Sequence, residues 1–294
     1  MSVAVPTSLD DAIQLIGEHP DAMLLAGGTD AMVEINDGHR RPAGMVIALN
    51  RVVDLRSWRH DPGAGTVTIG AGVTYTELME EPLASLLPAL GEASRTVGSP
   101  QIRNAGTLGG NLGTCSPAGD GLPVLSALDA EVRIVSSGSE RTVSVHDFMV
   151  GVKRTALEPG ELIAEIVLPV RSGWQGYAKV GVRNAMVIAV ASACFAVDEA
   201  AQRVSIALGS VGPTVIRCRD AEDQLSEAID WSNDSTGSMS TVSSEAVDTF
   251  RSLVSEASSP ITDHRSTADY RRHAVGVLAA RLARRGLTIE GAAR

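Results

Sequence analysis

Aromatic residues are nearly missing from this 294-residue chain, which has three Phe, three Trp and three Tyr. Cysteine is as scarce. Cys115, Cys194 and Cys218 are odd in number, far apart and outside any CxxC pair, which argues against a disulfide framework and suits a reducing compartment. Three scattered thiols also fall short of the four that an iron–sulfur cluster takes. Basic charge is in deficit: the formal net charge is −10 and the pI about 5.1, which argues against nucleic-acid affinity over the whole surface. No run approaches the ~18 apolar residues of a membrane-spanning helix, so no membrane span is expected. At 44% hydrophobic content the chain is no disordered polymer either. The opening MSVAVPTSLDDA lacks a basic stretch followed by an apolar one, so no signal peptide is read and the cytoplasm is the expected location. The signatures HExxH, GxSxG and GxxxxGKS/T are missing, and the six histidines are without metal-binding spacing.

Glycine is what the chain has in excess. Its 29 glycines make about 10% of the residues against a usual ~7%, and they follow no period. They serve backbone geometry at particular places.

A coarse reading locates those places. Ser8 caps a helix whose Ala12, Leu15 and Ile16 form an apolar stripe, and Pro20 ends it. Met23 to Ala26 is a buried strand that stops at Gly27-Gly28-Thr29-Asp30. Met45 to Leu49 reads as a strand, and the alternating TVTIGAGVT of Thr66 to Thr74 as another. Tyr75 to Met79 starts a helix, and Pro82 to Val97 is mostly helical. Gly98 to Gly121 has no periodicity and seven glycines. Ala130 to Val135 and Thr142 to Val145 flank a hairpin turn, and Glu161 to Pro169 is a further strand. Composition changes near Arg171-Ser172-Gly173, a candidate domain boundary. Beyond it, Met186 to Val197 and Arg203 to Gly209 read as a hairpin. Cys218 to Ile229, Ser244 to Glu256 and Ser266 to Arg285 read as helices, with a Ser/Thr-rich loop over Ser232 to Ser244. The last helix carries Tyr270, Ala274, Val277, Leu278 and Leu282 on one side. Arg271, Arg272, Arg281, Arg284 and Arg285 form the other, as a solvated basic face or a dock for an acidic partner.

Two glycine loops stand out, Ala26-Gly27-Gly28-Thr29-Asp30 and Gly106-Thr107-Leu108-Gly109-Gly110-Asn111. Without Cβ atoms, backbone N–H groups can close on a phosphate oxygen, and threonine adds a donor. Neither loop has the lysine that nucleotide hydrolases place on the β and γ phosphates, which favours a held diphosphate over phosphoryl transfer. Gly70-Ala71-Gly72 lacks the third glycine of a dinucleotide fingerprint and lies in an alternating strand. Asp120, after the second loop, suits a ribose or ribityl hydroxyl, or else caps the segment from Leu122. Lys179 either stabilises negative charge on a reduced cofactor or is a surface lysine.

The run Leu24-Leu25-Ala26-Gly27-Gly28-Thr29-Asp30, followed by Pro100-Gln101-Ile102-Arg103-Asn104 and Thr107-Leu108-Gly109-Gly110-Asn111, resembles the FAD-binding subunit of the molybdenum hydroxylases, which include xanthine dehydrogenase and carbon monoxide dehydrogenase. Glu161-Leu162-Ile163, Lys179, Arg183-Asn184-Ala185-Met186, Gly212-Pro213-Thr214 and Ile216-Arg217-Cys218 extend the likeness over nearly the whole chain. The Arg183 to Met186 segment and the Thr29-Asp30 ending are more similar to the xanthine dehydrogenase branch.

The resemblance implies an α+β fold. Residues 1–170 would form a two-lobed FAD domain of the vanillyl-alcohol-oxidase (PCMH) type, with lobes of about 1–55 and 56–170. Residues 171–294 would form a smaller domain of antiparallel strands and helices. It implies that Leu24, Leu25, Ala26, Gly27, Gly28, Thr29 and Asp30, with Gly106, Thr107, Leu108, Gly109, Gly110, Asn111 and Thr114, hold FAD at its pyrophosphate. Asp120 would reach a ribityl or ribose hydroxyl, Leu162 would pack near the adenine, and Lys179 would lie beside the isoalloxazine. No metal is expected in this chain. The molybdenum cofactor and the 2Fe-2S clusters would belong to a large and a small partner subunit, in a dimer of heterotrimers, with NAD+ or another carrier as electron acceptor. Val187-Ile188 replaces an acidic residue common in relatives, and no cysteine-rich insertion is present. Two other readings stay open at this point: a self-contained flavin oxidase, and an assembly module whose glycines are only turns.

Overall fold

Short parallel strands begin the chain. The computed structural model describes residues 2–42, 44–232 and 240–290, so most of the Ser/Thr-rich loop expected after Ser232 lies outside the described residues. Met45–Ala48 pairs in parallel with Ser2–Ala4 on one side and Met23–Leu25 on the other. Parallel neighbours need crossovers. The helices Leu9–Glu18 and Ala31–Asn36 supply them. Ser8 caps the first, its Oγ accepting from the Asp11 N–H at 3.1 Å, and Ala12 and Ile16 face the core.

A five-stranded antiparallel sheet follows, in the order Trp58–Asp61, Thr66–Gly70, Leu162–Pro169, Glu131–Ser136 and Ser139–Ser144. Ile166 lies between Ile69 and Val132, so one face is a continuous apolar layer. On the strands' other side Glu165 takes Arg59 and Arg133, and Arg133 continues to Glu140. The last two strands turn at Gly138, whose φ of +83° suits a hairpin.

A third sheet runs in chain order through Gln175–Val180, Ala191–Asp198, Arg203–Gly209 and Ile216–Arg217, all antiparallel. Every residue of Ala191–Asp198 is buried. Phe195 packs with Phe250 at 5.9 Å between ring centroids and Val197 lies in the same cluster, under the helices Arg219–Ala228, Ser244–Ala257 and Ala268–Gly286. Cys194 and Ala196, on the opposite face, join the core of the first part of the chain. Covered on both faces, the strand reads as a continuous apolar run instead of an alternating one. The arrangement is the expected α+β one, two lobes followed by antiparallel strands and helices.

Several elements differ from the sequence reading. The strand expected over Thr66 to Thr74 stops at Gly70, where a Cβ would lie 2.3 Å from the Leu55 carbonyl oxygen. The chain then leaves the sheet. Gly98 to Gly121 contains the helices Pro100–Ala105 and Leu108–Thr114, each too short to show a period. Tyr75 to Met79 yields only a 3-10 turn over Glu77–Met79. Gln175–Val180 is a further strand, and Met186 to Val190 is loop, with Met186 at φ +51°. Arg271 is not on the solvated face of the last helix. It is buried, paired with Asp263 at 2.6 Å, and donates to the Val190 and Ser210 carbonyls. Tyr270 is half exposed. No helix among the described residues is long and apolar enough to cross a membrane.

Candidate functional site

The two glycine loops meet. The strand Met23–Leu25 delivers the first loop against the turn between the helices Pro100–Ala105 and Leu108–Thr114. A Cβ on Gly27 would sit 1.7 Å from the Ala105 carbonyl oxygen, and one on Gly106 would sit 3.4 Å from the Thr29 hydroxyl. Gly28 has φ +71°, a left-handed turn that glycine adopts without strain.

The segment that left the sheet after Gly70 holds the second loop. Leu108 N–H donates to Val73 O and Gly109 N–H to Ala71 O, both at 3.0 Å, and Tyr75 N–H donates to Gly106 O at 3.1 Å. A Cβ on Gly109 would lie 2.4 Å from that of Ala71. Gly27 and Gly109 are therefore required by protein packing. Thr107 caps its helix, its Oγ1 accepting from Gly110 N–H at 2.9 Å.

Between the loops lies a cleft of about 920 Å³, at the upper end of the ~300–1,000 Å³ range of small-molecule sites. Of the expected site residues, Leu24 to Asp30, Gly106, Thr107, Gly109, Gly110, Asn111, Thr114 and Leu162 line it. Three do not. Leu108 points into the core and is fully buried. Asp120 and Lys179 lie off the cleft lining and spend their hydrogen bonds on each other, Lys179 Nζ donating to Asp120 Oδ2 at 2.6 Å and to Thr96 O at 3.0 Å. Tyr177 O–H donates to Asp120 Oδ1 at 2.8 Å. Both partners of this pair are under a tenth exposed, so Lys179 is no surface lysine. Burial pushes the Asp120 carboxyl up, against the pull of Lys179 and Tyr177. Asp120 precedes the helix Gly121–Ala127 without capping it through its side chain.

Two observations leave the cleft polar groups that a bound ligand could engage. The backbone N–H groups of Gly27, Gly28, Thr29 and Asp30, none of them in a fully buried residue, donate to no acceptor among the described residues and are open to a ligand or to water. Two buried polar atoms of cleft-lining residues, Tyr75 Oη and Asn111 Oδ1, also lack one. Arg40, Arg56 and Lys153 also line the cleft, but each is paired with a carboxylate, Arg40 and Lys153 with Glu34 and Arg56 with Glu77, so with Asp30 the local charge is close to balanced. Sequence reasoning missed Tyr75, Arg40, Glu34 and Lys153, because no local motif ties them to the glycine loops. Among the described residues no cluster of His, Cys, Asp and Glu could hold a metal ion.

Comparison with known proteins bears directly on this site. The family model of the FAD binding domain in molybdopterin dehydrogenase matches residues 1–171, and that of the CO dehydrogenase flavoprotein C-terminal domain matches residues 177–285. The chain belongs to the FAD-binding subunits of the molybdenum hydroxylases. The nicotinate dehydrogenase FAD-subunit of Eubacterium barkeri is 34% identical over 75% of this chain and 77% of that protein. The carbon monoxide dehydrogenase medium chain of Hydrogenophaga pseudoflava is 30% identical over 75% of this chain and 78% of its own length. Among solved structures, the reconstituted CO dehydrogenase from Oligotropha carboxidovorans superimposes with a TM-score of 0.85 at 27% identity, covering 97% of each chain. Relatives of this FAD-binding subunit are thus named parts of oxidoreductases.

Proposed function

We propose that the chain binds one FAD in the cleft between its glycine loops and passes electrons as the flavin subunit of a molybdenum hydroxylase complex. The observation that carries this reading is the cleft lined by both glycine loops, with the amides of Gly27 to Asp30 making no protein hydrogen bond, inside the segment that matches an FAD-binding family. Bound flavin would supply reversible two-electron redox chemistry. The protein's part is to hold it. Gly27, Gly28, Thr29 and Asp30 offer amides to the diphosphate, while Gly106, Thr107, Gly109, Gly110, Asn111 and Thr114 form the opposite wall. Leu24, Leu25 and Ala26 line the strand end, and Leu162 gives an apolar seat for the adenine. Leu108 anchors the second loop from behind. Lys179 would lie beside the isoalloxazine, and Asp120, whose two oxygens accept from Tyr177 and Lys179 with acceptor capacity left over, would reach a ribityl or ribose hydroxyl.

The same reading divides the chain into an FAD-binding domain to about residue 170, with lobes near 1–55 and 56–170, and a second domain over 171–294. The large and small partner subunits, with molybdenum cofactor and 2Fe-2S clusters, would deliver electrons to the flavin. NAD+ or another carrier would remove them, within a dimer of heterotrimers in the reducing cytoplasm. Three unpaired, buried cysteines agree with that compartment. Purification with and without its complex tests the role. The complex should hydroxylate a substrate and reduce an acceptor, and the isolated chain should turn over no organic substrate. Steady turnover by the isolated chain would replace the subunit reading with that of a self-contained flavin oxidase.

A further inference from the structure

Glu34 lies on the helix that follows the first glycine loop, and Lys153 is 119 residues further on. Their side chains nonetheless meet, Lys153 Nζ donating to Glu34 Oε1 at 2.5 Å. Arg40 approaches the other carboxylate oxygen, Oε2, at 3.6 Å. All three residues line the cleft. Lys153 sits in the turn between the short strands Met149–Gly151 and Arg154–Thr155. Its φ is +52°, an uncommon conformation for a residue with a side chain and one that persists where the surroundings dictate it. Its N–H donates at 3.0 Å to the carbonyl of Cys115, the left-handed residue that ends the helix Leu108–Thr114. The ion pair thus ties the element after the first loop to a turn pinned on the element after the second.

Stability does not account for this construction. The side chains are 54% and 28% exposed, and pairs of that kind contribute little to folding. Lys153 holds the Glu34 carboxyl below the usual carboxylate range, so the pair stays charged in mild acid. We propose that Lys153 and Glu34 form a clasp across the mouth of the cleft, which bound FAD must open in order to leave. Arg40 steadies the Glu34 side of it from 3.6 Å. This inference rests on the FAD reading above.

The test is the rate at which FAD leaves the full-length chain, followed by the recovery of free-flavin fluorescence after dilution. Lys153→Met and Glu34→Gln should each speed release about two- to fivefold. The double variant should be no faster than either single one, because both remove the same contact. Lys153→Arg should keep slow release, and salt should speed release from the wild type more than from the single variants. All variants should melt close to the wild type, which separates a clasp from a folding defect. Slower release from Glu34→Gln would overturn the clasp and mean that a freed Lys153 binds the diphosphate itself. Unchanged release in both single variants would also overturn it. A wild-type chain that takes up no FAD would instead sink the underlying cofactor reading.

Discussion

Gly27→Ala should part the two glycine loops and loosen the cofactor. A Cβ there would meet the Ala105 carbonyl oxygen at 1.7 Å, the Ala105 carbonyl carbon at 2.4 Å and the Gly106 nitrogen at 3.0 Å. All three are backbone atoms, so no side chain can swing away. Restoring an ordinary contact near 3.4 Å requires the loops to separate by about 1.7 Å. Hydrogen bonds to a diphosphate tolerate only a few tenths of an ångström around ~2.9 Å, so a ligand held by both walls must give up contacts with one. Losing one or two charge-assisted hydrogen bonds, at about 1.5–3 kcal/mol each, weakens FAD binding by about 2–3 kcal/mol, or roughly 30- to 150-fold. Overpacking should also lower stability by about 1–3 kcal/mol. Gly28→Ala is the control. Space is open around it, with no atom nearer than 3.5 Å, but its φ of +71° penalises alanine by about 1–2 kcal/mol. Fluorescence titration of flavin-free protein, with a urea melt of each variant, reads both effects. Wild-type affinity in Gly27→Ala, or a greater loss in Gly28→Ala, would refute the reasoning that these loops act as two facing walls.

Three further outcomes follow from the rest of the molecule. Lys179→Met leaves a buried Asp120 without its cation and should cost about 3–5 kcal/mol in urea denaturation, with Asp120→Asn/Lys179→Met recovering much of it; a loss below about 1 kcal/mol would contradict the pairing. Burial pushes the Asp129 carboxyl up, yet hydrogen bonds from His146 and Arg217 more than offset this and hold it well below the usual range. Its folded-state value being depressed, the stabilisation is present above about pH 4 and fades as the pH falls toward that lower value. Calorimetry should therefore show the melting gap between wild type and Asp129→Asn narrowing from pH 5 to pH 3, and a constant gap would argue against the ion-pair hub. Cys115, Cys194 and Cys218 are buried, and burial raises each thiol, Cys218 to about 12. A chromogenic disulfide reagent at pH 8 should find no reactive thiol in the native chain and three after denaturation.

Local patterns in the sequence located most of what holds the fold and the loops of the site, but not why the loops have their composition. Gly27-Gly28 and Gly109-Gly110 announced themselves as adjacent glycines beside threonine. That Gly27 rests on Ala105 and Gly109 on Ala71 is a contact between distant segments, which no local spacing encodes. The helices Pro100–Ala105 and Leu108–Thr114 are too short for periodicity, although Ser99 and Thr107 cap them in the ordinary way. The strand Gln175–Val180 was hidden because its buried half, Gln-Gly-Tyr, carries no aliphatic side chain. The sequence offers Asp120 as a hydroxyl partner or cap and Lys179 as a cofactor residue or surface lysine, but not their pairing with each other across 59 residues. In the sequence Arg271 is one more arginine of a basic stretch, and distant partners, Asp263 with the Val190 and Ser210 carbonyls, make its burial tolerable.

The central claim is that one FAD binds between the two loops. Titrating FAD into the flavin-free, full-length chain and following the loss of flavin fluorescence tests it most directly. The account predicts saturation at one FAD per chain, with Gly27→Ala displaced to much higher concentration. A chain that shows no saturable FAD binding, or binds FAD equally well with Gly27 replaced, would contradict it.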